Sequence, residues 1–163
     1  MRYTREYFYR IDAKGRLYHD NTEQTDASFL DFFFLRLKGN DTGQYRDYPY
    51  ISPCGKEMNY VRSAGAPIVF RRLEQNRSLV YAGSLTQPWE PWNLRIGSDD
   101  QLYHPSQMGF GRISPDLLLE WEPYFLTESG CIAAEGPFYE LTQPLRLQRL
   151  TEEEDSRVSL PSS

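Results

Sequence analysis

The sequence predicts an α+β domain made of mostly antiparallel sheets with two packed helices, and three observations lead to that prediction. A ten-residue segment occurs twice, each copy is followed by a helix-like segment, and short apolar stretches separated by turn residues lie between the copies. The chain contains 12 Tyr, 9 Phe and 3 Trp in 163 residues. Large rings bury much area per residue, so a compact body is well supplied with core-forming side chains.

The repeated segment predicts two β-hairpins. Residues 10–19 and 95–104 align without a gap at an offset of 85 residues, with five of ten positions identical. Each copy contains a turn sequence, Asp-Ala-Lys-Gly or Gly-Ser-Asp-Asp, between two short apolar stretches. Each copy also ends in Leu-Tyr-His, which accounts for both histidines of the chain, His19 and His104. We interpret the matched histidines as a sign of common ancestry and not of a shared site.

A helix-like segment follows each hairpin. The first covers Thr25–Lys38, where apolar residues recur at helical spacing, so this helix should be largely buried. The second covers Ser114–Glu122, with Ser114 as the N-cap, Pro115 at the first helical position and Pro123 as the stop. The recurring order of hairpin and helix predicts a duplicated hairpin-plus-helix motif related by a pseudo-two-fold axis.

These features predict a single globular domain over residues 1–150, with repeat halves at about 4–76 and 77–150. Residues 151–163 are polar and lack a periodic apolar pattern, so they are predicted to be a disordered acidic tail. The run Glu152–Asp155 carries much of the net charge of −5, and the rest of the chain is close to neutral. Overall charge therefore gives no reason to expect a nucleic-acid partner.

The apolar runs of the sequence are far shorter than a membrane span, and no membrane partner is expected. The first residues are basic and aromatic and lack the apolar stretch of a secretory signal. The two cysteines are not in a CxxC pair, which favours a reducing compartment over a disulfide scaffold. A cytoplasmic location is therefore predicted. Because no phosphate loop or dinucleotide fingerprint is present, no cofactor is expected.

Four segments together resemble uncharacterised protein family 0598, a domain of unknown function. They are Thr-Arg-Glu-Tyr-Phe-Tyr at 4–9, Ser-Pro-Cys-Gly-Lys-Glu-Met-Asn-Tyr-Val-Arg at 52–62, Pro-Ile-Val-Phe at 67–70 and Leu-Tyr-His-Pro at 102–105. The resemblance extends from about residue 4 to about residue 122. It implies no established activity. Because eukaryotic members of the family often look mitochondrial, a mitochondrial location is the alternative to a cytoplasmic one.

The order of Tyr-x-x-Asp-x-x-Gly, helix, Pro-Ile-Val-Phe and a second hairpin with its helix is also remotely similar to a bacterial family of unknown function. Members of that family are built from two copies of a helix-on-sheet motif. This resemblance implies the same plan as the internal repeat.

Cys54 is the candidate nucleophile. It lies between a proline and a glycine at the predicted tip of a hairpin, with Lys56 two residues later, and a neighbouring cation lowers the pKa of a thiol. A nucleophile also needs a base, for which His104 or His19 is the candidate. The alternative is a structural turn in which the cysteine fills a small pocket. No metal site is predicted, because the histidines and acids lack the close spacing of metal ligands.

Two further sets of residues are candidates for ligand binding. Glu57, Asn59 and Arg62 follow the Cys54 turn and could line a cleft, although a regular strand would place Arg62 on the opposite face. The alternative is a solvated face with a salt bridge. Trp89 and Trp92 lie in a Pro-Trp-Glu-Pro-Trp segment, which is either an exposed binding loop or packed across the sheet.

Arg71, Arg72 and Arg77 near Tyr81 are a weak indication of single-stranded nucleic acid, and Glu74 interrupts them, so a nucleic-acid partner is not expected. The leading hypothesis is a non-enzymatic binding or interaction module with an unknown protein or small-molecule partner. The alternative is a thiol-dependent enzyme or redox protein that uses the cysteine with a histidine base.

Overall fold

A computed structural model describes residues 5–158 of the chain. Over this range the strands form four sheets, most neighbouring strands are antiparallel, and three short α-helices pack against the sheets. The predicted α+β class with mostly antiparallel sheets is confirmed. No helix within this range is long and apolar enough to cross a membrane.

The first sheet contains six strands in the order β3-β2-β1-β6-β5-β4. The strands are β1 Arg5–Ile11, β2 Leu17–His19, β3 Thr22–Glu23, β4 Lys38–Gly39, β5 Tyr50–Cys54 and β6 Glu57–Ser63. Helix α1, Ala27–Leu35, connects β3 to β4. β1 pairs with β2 in the antiparallel sense and with β6 in the parallel sense.

The remaining strands form a five-stranded second sheet and two small sheets. They are β7 Val69–Phe70, β8 Arg72–Glu74, β9 Ser78–Tyr81, β10 Leu85–Pro88, β11 Arg95–Ile96, β12 Leu102–Ser106, β13 Gly109–Ile113, β14 Phe125–Leu126, β15 Cys131–Ile132, β16 Leu145–Arg146 and β17 Gln148–Arg149. The second sheet has the order β17-β11-β12-β13-β7. Helix α2 is Pro115–Trp121, and helix α3 is Glu152–Val158. Short 3₁₀ turns cover Pro91–Asn93, Glu122–Tyr124 and Gly136–Phe138.

The two predicted hairpins are present, and their strands share one register. In the β1–β2 hairpin Arg10 lies opposite Tyr18, and in the β11–β12 hairpin Arg95 lies opposite Tyr103. These pairs are related by the 85-residue offset of the repeat.

The hairpin turns also close in the same way. The amide of Asp12 donates to the carbonyl of Arg16 over 2.9 Å, and the equivalent amide of Gly97 donates to Gln101 over 2.9 Å. The repeated segment therefore folds twice into the same local structure. Duplication of the whole hairpin-plus-helix unit remains a hypothesis.

Helix α1 is shorter than predicted. It starts at Ala27, because Asp26 is the N-cap and its carboxylate accepts the amide of Phe29 over 2.8 Å. Phe33 and Phe34 are buried in the core, whereas Leu35 is 61% exposed. The helix is therefore shorter at both ends than the predicted Thr25–Lys38, and it is less buried than expected.

Helix α2 begins as the sequence predicts. Ser114 has extended backbone angles, and its hydroxyl accepts the amide of Leu117 over 3.2 Å. Pro115 occupies the first helical position, where no backbone donor is needed.

The main hydrophobic core lies between the sheets and helices α1 and α2. Its buried members are apolar or aromatic: Ile11, Leu17, Phe33, Phe34, Leu37, Val61, Ile68, Phe70, Leu79, Tyr81, Trp89, Leu94, Leu102, Ile113, Leu117, Trp121, Ile132 and Phe138. Both hairpins and both predicted helices contribute to this set, so the two halves share one core.

The predicted disordered tail instead contains helix α3, so the prediction is wrong for residues 152–158. Thr151 and Glu154 form a capping box, with bonds of 2.9 and 3.1 Å between each side chain and the other's amide. Val158, at the end of the helix, is buried against the second sheet. One cap and one apolar anchor thus order a segment that lacks an apolar period. Residues 159–163 of the predicted tail lie outside the described range.

A carboxylate clamp ties α1 to the turn between β9 and β10. Asp31 accepts the amides of Gly83 and Ser84 over 2.9 and 2.7 Å and the Ser84 hydroxyl over 2.6 Å. Burial alone would raise the pKa of Asp31, but these hydrogen bonds outweigh burial and lower it. The clamp brings the backbone of the turn so close to α1 that a Cβ on Gly83 would clash with the carbonyl oxygen of Ala27.

The close approach at Gly83 predicts that Gly83→Ala lowers the free energy of unfolding by about 1–3 kcal/mol, since the added methyl forces α1 away from the turn. The matched control is Gly39→Ala, where a Cβ would meet nothing within 4 Å. Urea unfolding followed by circular dichroism measures both variants. Equal midpoints for the two would contradict the clamp.

Candidate functional site

Four of the residues predicted to form a site, Cys54, Glu57, Asn59 and Arg62, lie on the first sheet but on two different faces. Its inner face is turned toward α1, as shown by the Ser52 hydroxyl, which donates to the carbonyl of Phe33 over 2.7 Å. Strand alternation places Asn59, opposite Ser52, and Cys54, opposite Glu57, on this face. Arg62 lies on the outer face, as a regular strand requires. The sheet therefore separates Arg62 from the other predicted residues.

The inner-face polar residues have structural partners. Asn59 is buried, and its amide nitrogen donates to the Ser52 carbonyl over 3.0 Å, which links β5 to β6. Glu57 lies 3.6 Å from the guanidinium of Arg5. Glu57 therefore has the salt bridge of the alternative interpretation, whereas Asn59 is buried and does not lie on a solvated face.

Neither histidine is placed to serve Cys54 as a base. His19 shares the inner face but lies on β2, and β1 and β6 intervene before β5. Three strand spacings of about 4.8 Å each separate the two strands, which is beyond hydrogen-bond reach. His104 lies on β12 of the second sheet. The predicted pairing of Cys54 with His104 is therefore wrong.

His104 is a core residue with both ring nitrogens bonded to the backbone. Its Nε2 accepts the amide of Glu90 over 3.1 Å, and Nδ1 lies 2.9 Å from the carbonyl of Pro105. The ring is fully buried and stacks on Trp89 at 5.4 Å between centroids. Burial lowers the pKa of His104 and outweighs the hydrogen bonds and the nearby Glu90 charge, which raise it.

The lowered pKa of His104 predicts that stability falls as the pH drops below about 6.5. In the unfolded chain His104 takes up a proton near the ordinary pKa of histidine, whereas in the folded chain the buried ring resists protonation. The free energy of unfolding therefore decreases as the pH falls below that value. Urea unfolding at a series of pH values measures the effect. His104→Gln should flatten this part of the profile, whereas His19→Gln should preserve it. A flat profile in the unmodified chain would contradict the assignment.

Trp89 is also a core residue, which corrects its assignment to an exposed binding loop. It is 5% exposed, its ring lies 5.1 Å from that of Trp121, and its Nε1 donates to the carbonyl of Pro137 over 2.8 Å. Trp92 is 47% exposed and remains available for binding. The two tryptophans therefore do not form one surface.

The difference in burial predicts that Trp89→Ala destabilises the protein by about 3–5 kcal/mol, because it leaves a large cavity in the core. Trp92→Ala should leave the thermal midpoint nearly unchanged. Differential scanning calorimetry of both variants checks the prediction. A stable Trp89→Ala protein would show that the indole is not part of the core.

The outer face of the first sheet carries a pair of adjacent arginines. Arg10 on β1 lies directly beside Arg62 on β6 in the parallel register. The Arg10 guanidinium is 4.1 Å from the centroid of the Tyr18 ring, and that of Arg62 is 5.2 Å from the centroid of Tyr48. Among residues 5–158, neither arginine forms a salt bridge.

Three hollows lie on this face or beside it. Their volumes are about 230, 470 and 690 Å³. The first two share Arg10 and Arg62, and the second and third share Pro49 and Ser63. We call the two hollows that share Arg10 and Arg62 the arginine groove. The third hollow lies beside the groove and is lined by Tyr50 and, on α3, by Val158.

Within residues 5–158, the carboxylates that line the groove form no salt bridge with Arg10 or Arg62. Asp12 is engaged by its own turn, since it accepts the amide and the Nε of Arg16 over 2.9 and 2.7 Å. Burial would raise the pKa of Asp12, but these bonds outweigh it and lower the pKa. Asp20 lies 3.6 Å from His19, and Asp47 is an exposed residue of the groove wall.

Sequence reasoning missed Arg10 as a site residue, although a signal was present. Arg10 and Tyr18 occupy opposite positions of a hairpin that was predicted, so a cation beside an aromatic ring was foreseeable. The proximity of Arg62 depends on the parallel pairing of β1 with β6, which links distant parts of the chain.

Arg112 on β13 is a second feature that the sequence did not indicate. Its side chain is 2% exposed, and Nε and Nη2 have no hydrogen-bond partner within the described range. Burial lowers the pKa of Arg112, while Tyr103 and Asp99 act in the opposite direction. The residue lies under α3, beside the buried Tyr103.

Two of the three arginines considered for nucleic acid are engaged locally. Arg71 donates to the carbonyls of Ala82 and Gly83, and Arg72 lies 3.0 Å from Glu74. In the part of the chain that the structure describes, no group of three or more His, Cys, Asp or Glu side chains could hold a metal ion.

Comparison with known proteins identifies the family and the fold. A family model described as a domain of unknown function (DUF4505) matches residues 1–140. A DUF1285 family protein from Silicibacter pomeroyi DSS-3 has a TM-score of 0.59 and 14% identity, covering 93% of this chain and 85% of that one. A DUF1285 family protein from Shewanella baltica OS155 has a TM-score of 0.52 and 17% identity, covering 72% of this chain and 91% of that one. The resemblances to an uncharacterised family and, remotely, to a bacterial one are confirmed.

Proposed function

The chain belongs to the DUF4505 family of domains of unknown function, and we propose that it is a binding module whose working surface is the arginine groove. The observation that carries the proposal is the pair formed by Arg10 and Arg62, two arginines at paired positions of neighbouring strands that line the same hollow and form no salt bridge in the described range. Two like charges held side by side favour a ligand that carries an anionic group.

The walls of the groove support the same function. Tyr18 and Tyr48 flank the two arginines, whose guanidinium carbons lie 4.1 and 5.2 Å from the ring centroids. A guanidinium that lies over an aromatic ring can still use its N–H groups to bind a carboxylate or phosphate in a bidentate manner. The groove thus combines charge with shape, as binding sites commonly do.

The alternative of a thiol-dependent enzyme lacks its catalytic base. His104 uses both ring nitrogens for backbone contacts, and His19 is three strand spacings from the strand of Cys54. Glu57, the residue opposite Cys54, is paired with Arg5. The geometry therefore favours binding over nucleophilic chemistry.

The proposal predicts that inorganic phosphate binds in the groove and is held by both arginines. Titration with phosphate, followed by NMR, should shift the side-chain Nε–H signals of Arg10 and Arg62 in a saturable manner. Arg62→Gln should weaken the apparent affinity by about three- to tenfold, since one charged hydrogen-bond donor is lost. Arg149→Gln, at an exposed position of the second sheet, removes the same charge and should have no effect. Shifts that do not saturate, or that Arg149→Gln abolishes equally, would overturn the proposal.

A further inference from the structure

The two hairpins differ in what covers their outer faces. On the second hairpin α3 provides the cover, and Tyr103 beneath it is fully buried, with its hydroxyl 3.4 Å from the carbonyl of Val158. The Asp155 carboxylate of α3 accepts both the amide and the hydroxyl of Ser98 over 2.7 Å, in the turn of that hairpin. An acidic helix is therefore held by one apolar end and one carboxylate.

In the part of the chain that the structure describes, no helix covers the equivalent face of the first hairpin. Tyr18 occupies the position of Tyr103, but it is half-buried and lines the arginine groove. Arg10 covers the ring at 4.1 Å, and Arg16 lies 5.9 Å from the same ring. The same strand register thus leads to a tyrosine that is fully buried under a helix in one hairpin and to a half-buried tyrosine beside two arginines in the other.

We infer that the open face of the first hairpin is a docking surface for an acidic helix of a partner protein. This inference rests on the proposed binding function of the groove and names its partner. The α3 segment shows within the same chain that a short acidic helix packs over a hairpin of this register. A helix seated in a groove by an apolar residue and flanking charges is a common mode of recognition.

The charges of the two faces fit this assignment. The second hairpin meets its helix through the hydroxyl of Ser98, and the equivalent residue of the first hairpin, Ala13, has no polar side chain. Arg10 and Arg62 supply cationic donors on the first face instead. Because the whole chain has a net charge of −5, an acidic helix is attracted only where cations are concentrated.

The test uses the full chain and a synthetic peptide with the sequence of residues 149–158, held helical by a side-chain staple and carrying a paramagnetic label. NMR of the ¹⁵N-labelled chain should show broadening at Arg10, Tyr18 and Arg62. Arg10→Glu combined with Arg62→Glu should weaken binding about tenfold or more, since two favourable charge contacts become repulsive. Arg77→Glu combined with Arg149→Glu, both exposed, is the matched control and should change binding less than twofold.

A second peptide, with Glu152→Gln, Glu153→Gln, Glu154→Gln and Asp155→Asn, should lose the broadening. If phosphate binds the groove but the acidic peptide does not, or binds equally after charge reversal, the helix inference is overturned and the proposed function stands. If neither probe binds, both are overturned. If the free chain self-associates through the groove and charge reversal abolishes it, the occupant is a second copy, and the partner-protein inference is overturned.

Discussion

The parallel pairing of β1 with β6 is the interaction on which the first sheet depends. It aligns seven residues of each strand, from Arg5 beside Glu57 to Ile11 beside Ser63. Because β1 begins one hairpin and β6 ends another, this pairing joins two local units into one sheet with a buried inner face. The same register places Arg10 beside Arg62 on the outer face. Core formation and groove formation are therefore consequences of a single long-range contact.

Turn residues and capping residues in the sequence predicted the hairpins and the start of a helix, because neighbouring residues determine these features. Turn residues indicated both hairpins, and Ser114 with Pro115 fixed the start of α2. The arginine groove could not be predicted in the same way, because the pairing of Arg10 with Arg62 joins segments that are far apart in sequence. Periodicity and turn chemistry carry information over a few residues, whereas strand order depends on the packing of the complete core.

Residues that can be either core or surface were the main source of error. Trp89 and His104 each have a polar atom, so exposure or burial suits them equally until the fold supplies a backbone partner for that atom. Helix α3 is the opposite case. Its composition indicates disorder, yet a capping box and the burial of Val158 suffice to order it. In each of these cases a few specific contacts determine whether the residue is buried or the segment is ordered.

The guanidinium of Arg112 beneath α3 has an energetic consequence for the C-terminal segment. Apolar contacts of Val158 and Leu150 favour the closed arrangement. Burying a cation whose Nε and Nη2 have no hydrogen-bond partner among residues 5–158 opposes it. Detachment of α3 would rehydrate that cation and so recover part of the free energy lost with the contacts. The segment is therefore poised to open locally at a lower cost than global unfolding, and amide exchange along β13 would be faster than its depth suggests.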